Sequence, residues 1–502
     1  MTLEYFDVLV VGAGLSGIGA GYHLQTRCPD RSYAILEGRD CSGGTWDLFR
    51  YPGVRSDSDM YTLGYSFRPW QDAKAIAEGP AILKYIRDTA AEMGIERKIR
   101  YGHRVVRAAW STADASWTVD VERGEAKQLL RLRCNFLFVC SGYYRYAEGY
   151  TPDFAGRERF AGRIVHPQHW GDDIDATGKR VVVIGSGATA VTLVPALAGS
   201  AAHVTMLQRS PTWVVARPSQ DALANRLKRV LPARLAYGIA RWHRVLLGMY
   251  FFRLCRRDPA RAKRLILGGV RAFLGPDYDV ARHFTPRYNP WEQRLCLVPD
   301  ADLFRAIKAG RASVVTDEIE SFTETGLKLR SGAELDADLI VTATGLQLQV
   351  LGGVEVSVDG SRVDWPETTT YKGMMYSDVP NLASAFGYTN ASWTLKSDLT
   401  CEYVCRLLNH MKRRGLRQCT PRNVDATPGA EPWLDFSSGY VKRSLHLFPK
   451  QGSREPWKQH QNYLRDILTL RFGRLDDGAM VFSNPPPTPS RPVPAERAGT
   501  AD

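Results

Sequence analysis

Residues 6–24 read FDVLVVGAGLSGIGAGYHL, and this stretch decides the fold. The run from Phe6 to Val11 is mostly apolar and rich in valine, which predicts a buried strand. It leads into Gly12-Ala13-Gly14-Leu15-Ser16-Gly17 and then into a helical pattern. A second short apolar strand, Tyr33 to Leu36, ends in Glu37. This order predicts a βαβ unit of the dinucleotide-binding type.

The glycine loop has a specific physical logic beyond a simple turn. Gly12 allows the tight turn, Gly14 lets the backbone approach a pyrophosphate, and Gly17 lets the helix pack closely on the strand. The positive end of the helix stabilises the phosphates. Glu37, twenty positions after Gly17, is suited to accept both ribose hydroxyls, and its charge repels a 2′-phosphate. The unit is therefore predicted to bind FAD or NAD and not NADP.

A similar unit begins 173 residues downstream of Gly12. A strand from Arg180 to Ile184 meets Gly185-Ser186-Gly187, with Ala190 at the third position of the motif. The next strand ends in Gln208-Arg209-Ser210, where no carboxylate stands. A guanidinium beside a hydroxyl suits a 2′-phosphate, although Arg209 as a solvated surface charge is the alternative. We expect this second unit to prefer NADPH.

Length and composition are those of a large soluble protein with a substantial core. The chain has 502 residues, of which 44% are hydrophobic and 24% charged. Its most hydrophobic stretch, residues 245–255, contains Arg253 and is shorter than a membrane-spanning segment. The N-terminus lacks the pattern of a secretory signal, and the nine cysteines lack paired spacing for disulfides or zinc. A cytoplasmic protein with reduced cysteines and no bound metal is expected.

The net charge of +13 is concentrated in one segment, residues 219–275. It holds thirteen basic residues against two acidic ones, Asp221 and Asp258. Such clustering argues against a general nucleic-acid binder. The segment reads as helical, with breaks at Pro232 and Pro259. The pattern favours an insert with a solvated arginine face, and the alternative is peripheral contact with an anionic membrane surface.

Two nucleotide sites of different preference on one chain predict a flavoprotein that receives electrons from NADPH. A disulfide reductase of similar layout carries a redox-active cysteine pair near the first unit, where this chain has only Cys41. The predicted electron acceptor is therefore oxygen or a second protein.

The chain resembles a known family of enzymes. Residues 160–170 read FAGRIVHPQHW, which matches the FxGxxxHxxxW fingerprint of type I Baeyer–Villiger monooxygenases between the two nucleotide motifs. Gly171 replaces the proline or aspartate usual in that family. The loops GGTW, residues 43–46, and RYPGVRSD, residues 50–57, are also similar. The resemblance implies an α/β fold with two Rossmann-like domains, for FAD and NADPH, and a helical insert.

The resemblance also implies roles for individual residues. Arg294 corresponds to the active-site arginine beside the flavin, and Asp57 to the carboxylate that positions it. Many relatives have lysine where this chain has Gln293, so more of the NADPH preference falls on Arg209 and Ser210. Further residues are implied for the FAD site, namely Gly44, Thr45, Trp46, Asp57 and Asn390, and for the linker, namely Phe160, Gly162, His166 and Trp170.

Four further residues, three of them aromatic, have predicted positions near the flavin or in the packing between domains. Asn390 and Trp393 are candidates to line the flavin ring, although Trp393 is equally suited to the core. Tyr143 and Tyr144 are expected to pack at a domain crossover.

The chemistry that the resemblance implies is oxygenation with O2 as co-substrate. In the family, reduced flavin adds oxygen to give a peroxyflavin, which as an anion attacks a ketone carbonyl. The protonated hydroperoxide oxidises sulfur instead. The predicted substrates are lipophilic small molecules: ketones converted to esters, and sulfides or thioamides converted to S-oxides. Two alternatives stay open: a flavin monooxygenase confined to nitrogen and sulfur, and a flavin-binding NADPH oxidase acting as a redox partner at a membrane surface.

The predicted domain order follows from these motifs, and oligomeric state is left open. The FAD-binding domain comprises residues 1–145 and 331–483, and the NADPH-binding domain comprises residues 146–215 and 286–330. Residues 216–285 form the helical insert. The proline-rich residues 484–502 are predicted to be disordered.

Overall fold

The computed structural model describes residues 3–423, 431–434 and 436–485. Along the described chain, α-helices and strands occur in separate runs as well as in alternation. The helices are α1 Leu15–Arg27, α2 Thr45–Leu48, α3 Met60–Leu63, α4 Gly79–Glu92, α5 Ala188–Leu197, α6 Ala222–Val230, α7 Ala233–Arg257, α8 Pro259–Leu274, α9 Val280–Phe284, α10 Asp302–Lys308, α11 Trp393–Arg414, α12 Gly439–Ser444 and α13 Tyr463–Asp466.

The strands of the first half belong mainly to the two large sheets. They are β1 Glu4–Val11, β2 Tyr33–Leu36, β3 Ile99–Arg100, β4 His103–Ser111, β5 Ser116–Arg123, β6 Gln128–Val139, β7 Tyr144–Gly149, β8 Arg163–Val165, β9 Arg180–Ile184, β10 His203–Gln208 and β11 Val214–Arg217.

The remaining strands complete those sheets and form small ones. They are β12 Cys296–Pro299, β13 Ala312–Thr316, β14 Ile319–Phe322, β15 Gly326–Leu329, β16 Glu334–Asp336, β17 Leu339–Thr342, β18 Leu346–Leu348, β19 Glu355–Val358, β20 Ser361–Arg362, β21 Thr370–Tyr371, β22 Met375–Tyr376, β23 Leu382–Ser384, β24 Gln418–Pro421, β25 Glu431–Pro432, β26 Lys450–Gln451 and β27 Met480–Ser483.

The first large sheet has nine strands, in the order β20-β19-β4-β5-β6-β1-β2-β3, with β23 also paired to β6. Strand β1 runs parallel to β2 and β6, with Val11 opposite Leu36 and Val139. Its four C-terminal residues are buried: Val8 and Val10 belong to a core cluster with residues of helix α1, and Leu9 and Val11 belong to a second cluster with residues of β4–β6. This arrangement confirms the predicted first nucleotide-binding unit.

The second large sheet has five strands, in the order β13-β10-β9-β17-β8, and its pairings are all parallel. All of it lies between β6 and β19 in sequence, so the second unit is inserted into the first. The α/β class with two Rossmann-like units is thereby confirmed. One predicted boundary is wrong: β17 lies within residues 331–483, the predicted second part of the FAD-binding domain, yet it pairs with β8 and β9 of the second sheet. The sequence of a short, buried, apolar strand does not indicate which of two sheets the strand joins.

The insert is helical, as predicted, and comprises α6, α7 and α8. The breaks lie at the two prolines: Pro232 precedes α7, and Pro259 is the first residue of α8. None of the helices in the described part of the chain combines the length and the apolar character that a membrane crossing requires. The proline-rich tail lies outside the described residues, apart from Asn484 and Pro485.

Candidate active site

Residues of both glycine loops line one continuous cavity of ≈ 1710 Å³. Gly12 and Gly14 line it at the end of β1, and Gly185 and Gly187 line it at the end of β9. Both loops follow the carboxyl ends of parallel strands, where open α/β sheets bind their ligands. The two predicted nucleotide sites therefore face a shared space.

The first loop depends on a glycine at position 17. A methyl group there would lie 1.8 Å from the carbonyl oxygen of Gly12, so any larger residue would push α1 away from β1. Gly17 does not line the cavity; it sets the distance between the helix and the strand. Gly14 lies at the N-terminal end of α1 and does line it.

Glu37 is buried at the end of β2 and has a carboxylate fixed by backbone groups. Its Oε2 accepts a hydrogen bond of 2.7 Å from the backbone N–H of Ala13, and its Oε1 accepts one of 3.0 Å from that of Arg39. Burial raises the pKa of Glu37, while these two hydrogen bonds oppose the rise. Each oxygen keeps further acceptor capacity. The carboxylate lines the cavity and fits a diol such as the ribose of FAD.

Gly44, Thr45 and Trp46 line the cavity beside the first loop. Thr45 begins α2, and a methyl group on Gly44 would lie 3.1 Å from the Cα of Gly14. The two backbones therefore come close enough that side chains are excluded between them. This donor-rich, side-chain-free surface fits a pyrophosphate.

The second loop differs from the first at the residues that follow its second strand. Arg209 and Ser210 are exposed after β10 and line the cavity, and the Oγ of Ser186 donates a 3.0 Å hydrogen bond to the carbonyl oxygen of Ser210. Gly187 has open space around it, whereas Ala190 is fully buried against the sheet. Arg209 makes no ion pair with any residue that the structure describes, so its guanidinium is accessible at the position that Glu37 occupies in the first unit.

Arg294 and Asp57 form a two-point ion pair in the cavity wall. The Nε of Arg294 lies 2.5 Å from Oδ2 of Asp57, and its Nη2 donates a 2.9 Å hydrogen bond to Oδ1. Arg294 keeps 34% of its side-chain exposure because it faces the cavity. Burial lowers the pKa of Arg294, but Asp57 and nearby tyrosines more than offset this and hold it above its ordinary value. The guanidinium is a permanent cation.

An aromatic wall adjoins this pair. The hydroxyls of Tyr143 and Tyr144 lie 3.1 Å apart, and Tyr143 stacks on Trp393 with ring centroids 5.4 Å apart. Trp393 in turn donates a 2.7 Å hydrogen bond to Ser16 Oγ of the first loop. Burial raises the pKa of both tyrosines, so their hydroxyls stay protonated at neutral pH. All three rings line the cavity.

The structure adds to one prediction and corrects another. Tyr143 and Tyr144 pack against each other where the chain passes from β6 toward the second unit, as expected, and they also line the cavity. Asn390 does not line it, because its amide donates a 2.9 Å hydrogen bond to the carbonyl oxygen of Gln461. Trp393 takes that position in the wall. Gln293 also lines the cavity beside Arg294.

The linker residues lie outside the lining of this cavity. Phe160 is buried, packing edge-on against Phe322, and Trp170 packs against the core of the second sheet. His166 accepts a hydrogen bond at Nδ1 from the backbone of Gln168, so its Nε2 donates to Gly345 oxygen at 3.2 Å. Burial lowers the pKa of His166 and favours this neutral form. A methyl group on Gly162 would meet the Phe160 ring at 2.5 Å, so this turn needs glycine.

Comparisons with known proteins agree with this architecture. The family model of flavin-binding monooxygenase-like proteins matches residues 64–245, and that of NAD(P)-binding Rossmann-like domains matches residues 10–75. The FAD-containing monooxygenase EthA of Mycobacterium tuberculosis (strain H37Rv) is 55% identical over 484 residues, which cover 96% of this chain and 99% of EthA. The probable FAD-binding monooxygenase AlmA of Acinetobacter baylyi is 45% identical over 491 residues, covering 97% and 98%.

Solved structures share the fold at lower identity. An oxidized steroid monooxygenase bound to NADP superposes with a TM-score of 0.76 at 23% identity, covering 96% of this chain and all of the other. An epsilon-caprolactone-bound cyclohexanone monooxygenase gives 0.74 at 20% identity, with the same coverage. Two dinucleotide-binding units are thus arranged here as in known monooxygenases. With identity of 55% along nearly its whole length, the chain belongs to the family of FAD-containing monooxygenases.

Proposed function

We propose that this protein is an NADPH- and O2-dependent monooxygenase that converts lipophilic ketones to esters and oxidises sulfides and thioamides at sulfur. The observation that carries the proposal is the ion pair of Arg294 and Asp57 in the cavity that both glycine loops share. A fixed cation in a partly enclosed site is suited to a reaction in which negative charge develops.

The first unit has the features that hold FAD. The carboxylate of Glu37 would accept hydrogen bonds from the ribose hydroxyls, and the facing backbones of Gly14 and Gly44 would hold the pyrophosphate. Bound there, FAD supplies the activation of molecular oxygen that protein side chains do not provide. Thr45 and Trp46 line the same cavity as Arg294.

The second unit has the features that select NADPH. Arg209 and Ser210 are free to bind a 2′-phosphate, since neither contacts a carboxylate among the described residues. Gln293 cannot add a second positive charge. The preference for NADPH over NADH therefore rests mainly on Arg209.

Arg294 acts on the substrate by electrostatics. When a nucleophile adds to a ketone, the carbonyl oxygen gains negative charge that the neutral ketone lacks. A permanent guanidinium beside that oxygen therefore stabilises the transition state more than the ground state. Asp57 holds the guanidinium in one orientation through two hydrogen bonds, and the rings of Tyr143 and Trp393 give the site an apolar wall for lipophilic substrates.

Product identification tests the proposal. The holoenzyme is incubated with NADPH under ¹⁸O2 with a lipophilic ketone and, separately, a thioether, and the products are identified by mass spectrometry. We expect an ester and an S-oxide, each with one ¹⁸O atom. S-oxide without any ester would favour the enzyme confined to nitrogen and sulfur. Hydrogen peroxide as the sole product with every substrate would favour the NADPH oxidase.

A further inference from the structure

The outer face of α7 carries a stripe of exposed apolar residues. Along this helix Leu235, Ile239, Trp242, Leu246 and Tyr250 are each between 41% and 61% exposed. They follow one another at intervals of three or four residues, which places them on one side of a helix. An apolar stripe of this kind normally packs against a core. Here it faces outward along four turns, and we call it the α7 stripe.

Contacts on the opposite face of the same helix fix its orientation and keep the stripe exposed. Arg241 is buried there, and its Nη1 donates hydrogen bonds of 2.8 Å to the carbonyl oxygens of Tyr61 and Gly64. Its Nη2 lies 3.7 Å from Oδ2 of buried Asp398. Rotating the helix would leave this guanidinium without partners, at a high cost. The exposure of the α7 stripe is therefore built into the fold.

The same insert presents positive charge beside the stripe. Arg253, Arg256 and Arg257 are exposed in the last turns of α7, and Arg261 and Arg264 are exposed on α8. Among the described residues, ion pairs of the insert's helices involve only Arg241 and Arg244. One acidic residue, Asp258, lies between the two helices, and it is used to cap α8.

From this geometry we propose that the insert docks on an anionic lipid surface, with the α7 stripe in the interfacial region and the flanking arginines on lipid phosphates. An apolar helix face bordered by arginines and poor in acidic residues is the pattern of helices that lie on membranes. The lipid charge complements the arginines, which would attract the protein before the apolar contact forms.

A second copy of the chain fits this face less well than a lipid surface. In a symmetric dimer both copies contribute the same patch, so two surfaces that both carry a net positive charge would be brought together. Like charges placed together oppose association. An anionic bilayer brings no such repulsion.

Docking in this way would bring the cavity close to the lipid. On the inner face of α7, Arg241 binds the carbonyl oxygens of Tyr61 and Gly64. Leu63, which lies between these two residues in sequence, lines the cavity. Helix α7 thus lies between the proposed lipid surface and the cavity wall. The proposal concerns binding and does not depend on which substrate is oxidised.

Vesicle flotation with the holoenzyme tests the proposal. The probes are vesicles of phosphatidylcholine alone and of phosphatidylcholine mixed with phosphatidylglycerol. We expect flotation with the mixed vesicles, weakened by high salt. The double variant Trp242→Asp/Leu246→Asp should lower the partition coefficient at least about tenfold. The variant Arg256→Glu/Arg257→Glu should remove the preference for phosphatidylglycerol.

A matched control separates the α7 stripe from general surface hydrophobicity. Leu129 on β6 is 62% exposed and lies outside the insert, so Leu129→Asp should bind vesicles like the wild type. Bound FAD absorbance and thermal melting verify that each variant is folded. The proposal is overturned if wild-type protein does not float with anionic vesicles, or if the stripe variant floats equally well. It is also overturned if the stripe variant merely converts a wild-type oligomer to monomers while neither form binds lipid.

Discussion

Asp57 and Arg294 stand 237 residues apart in sequence, yet they bind each other through two contacts in the cavity wall. Asp57 precedes α3 in the first nucleotide-binding unit, whereas Arg294 precedes β12 in the second. The pair therefore joins the two units at the point where their glycine loops share one space. A site built from both units keeps its geometry only if the two units keep their relative position.

The variant Asp57→Asn should lower the yield of ester per NADPH by about tenfold or more. Asparagine can still accept one hydrogen bond, but it no longer fixes the guanidinium at two points or balances its charge. The measurement is ester formed against NADPH consumed. Because the two residues act as a unit, Asp57→Asn should have little further effect in an Arg294→Ala background. Additive losses in the double variant would mean that Asp57 acts independently of Arg294.

The variant Arg209→Ala should raise KM for NADPH by about tenfold or more and leave KM for NADH nearly unchanged. The lost interaction is a charge-assisted hydrogen bond, worth about 1.5–3 kcal/mol. Arg311 is an exposed arginine that precedes β13, at the opposite end of the same parallel sheet. Arg311→Ala should therefore change neither KM. An unaltered preference in Arg209→Ala would show that the phosphate binds elsewhere.

The variant Gly17→Ala should weaken FAD retention and lower the melting temperature. The added methyl would lie 1.8 Å from the Gly12 carbonyl oxygen, so α1 must shift, at a cost of about 1–3 kcal/mol. Gly268 in α8 has open space around it, and Gly268→Ala should be neutral or slightly stabilising. The measurements are flavin content after gel filtration and thermal melting. Full flavin content in Gly17→Ala would contradict the close packing of helix and strand.

The neutral form of His166 should stabilise the linker, so the rate of flavin reduction by NADPH should fall when His166 becomes protonated at low pH. Burial lowers the pKa of His166 below its ordinary value of 6.5, so the hydrogen bond that its Nδ1 accepts from the backbone N–H of Gln168 is complete above that pH and is lost in acid, as the pH falls through the lowered pKa. The rate of flavin reduction by NADPH should be two- to tenfold slower in His166→Ala, about the loss of one hydrogen bond.

His169 is the matched control for this prediction. It is exposed beside His166, with ring centroids 6.4 Å apart, so His169→Ala should reduce flavin at the wild-type rate. Stopped-flow measurements between pH 5.5 and 8 give both comparisons. A wild-type rate that increases as the pH falls below 6.5 would contradict the assignment.

Local patterns predicted the parts of this molecule that depend on neighbouring residues. The first loop, Glu37 and the loop at Gly185 could be placed because strand, turn and helix follow one another directly in sequence. The helices of the insert could be placed because Pro232 and Pro259 interrupt them. These features need no knowledge of distant contacts.

Other features depend on which distant segments meet, and the sequence does not encode that locally. Strand β17 has the same short apolar pattern as the end of β6, so nothing in its residues assigns it to the second sheet. Tyr143 and Trp393 meet only because α11 packs beside the first loop, where Trp393 binds Ser16. The role of Arg294 likewise came from a family resemblance, since an arginine alone predicts no more than an ion pair.

In the proposed reaction Arg294 stabilises the negative charge that develops on the substrate, and it is not needed for reduction of the flavin by NADPH. The most direct test is the molar ratio of ester formed to NADPH consumed in wild type, Arg294→Ala and Arg294→Lys, with a ketone substrate. Arg294→Ala should still reduce its flavin with NADPH at nearly the wild-type rate, while the ratio falls to almost zero and hydrogen peroxide replaces the ester. Arg294→Lys should recover little, because lysine makes no two-point contact with Asp57. A wild-type ratio in Arg294→Ala would show that Arg294 does not take part in oxygenation.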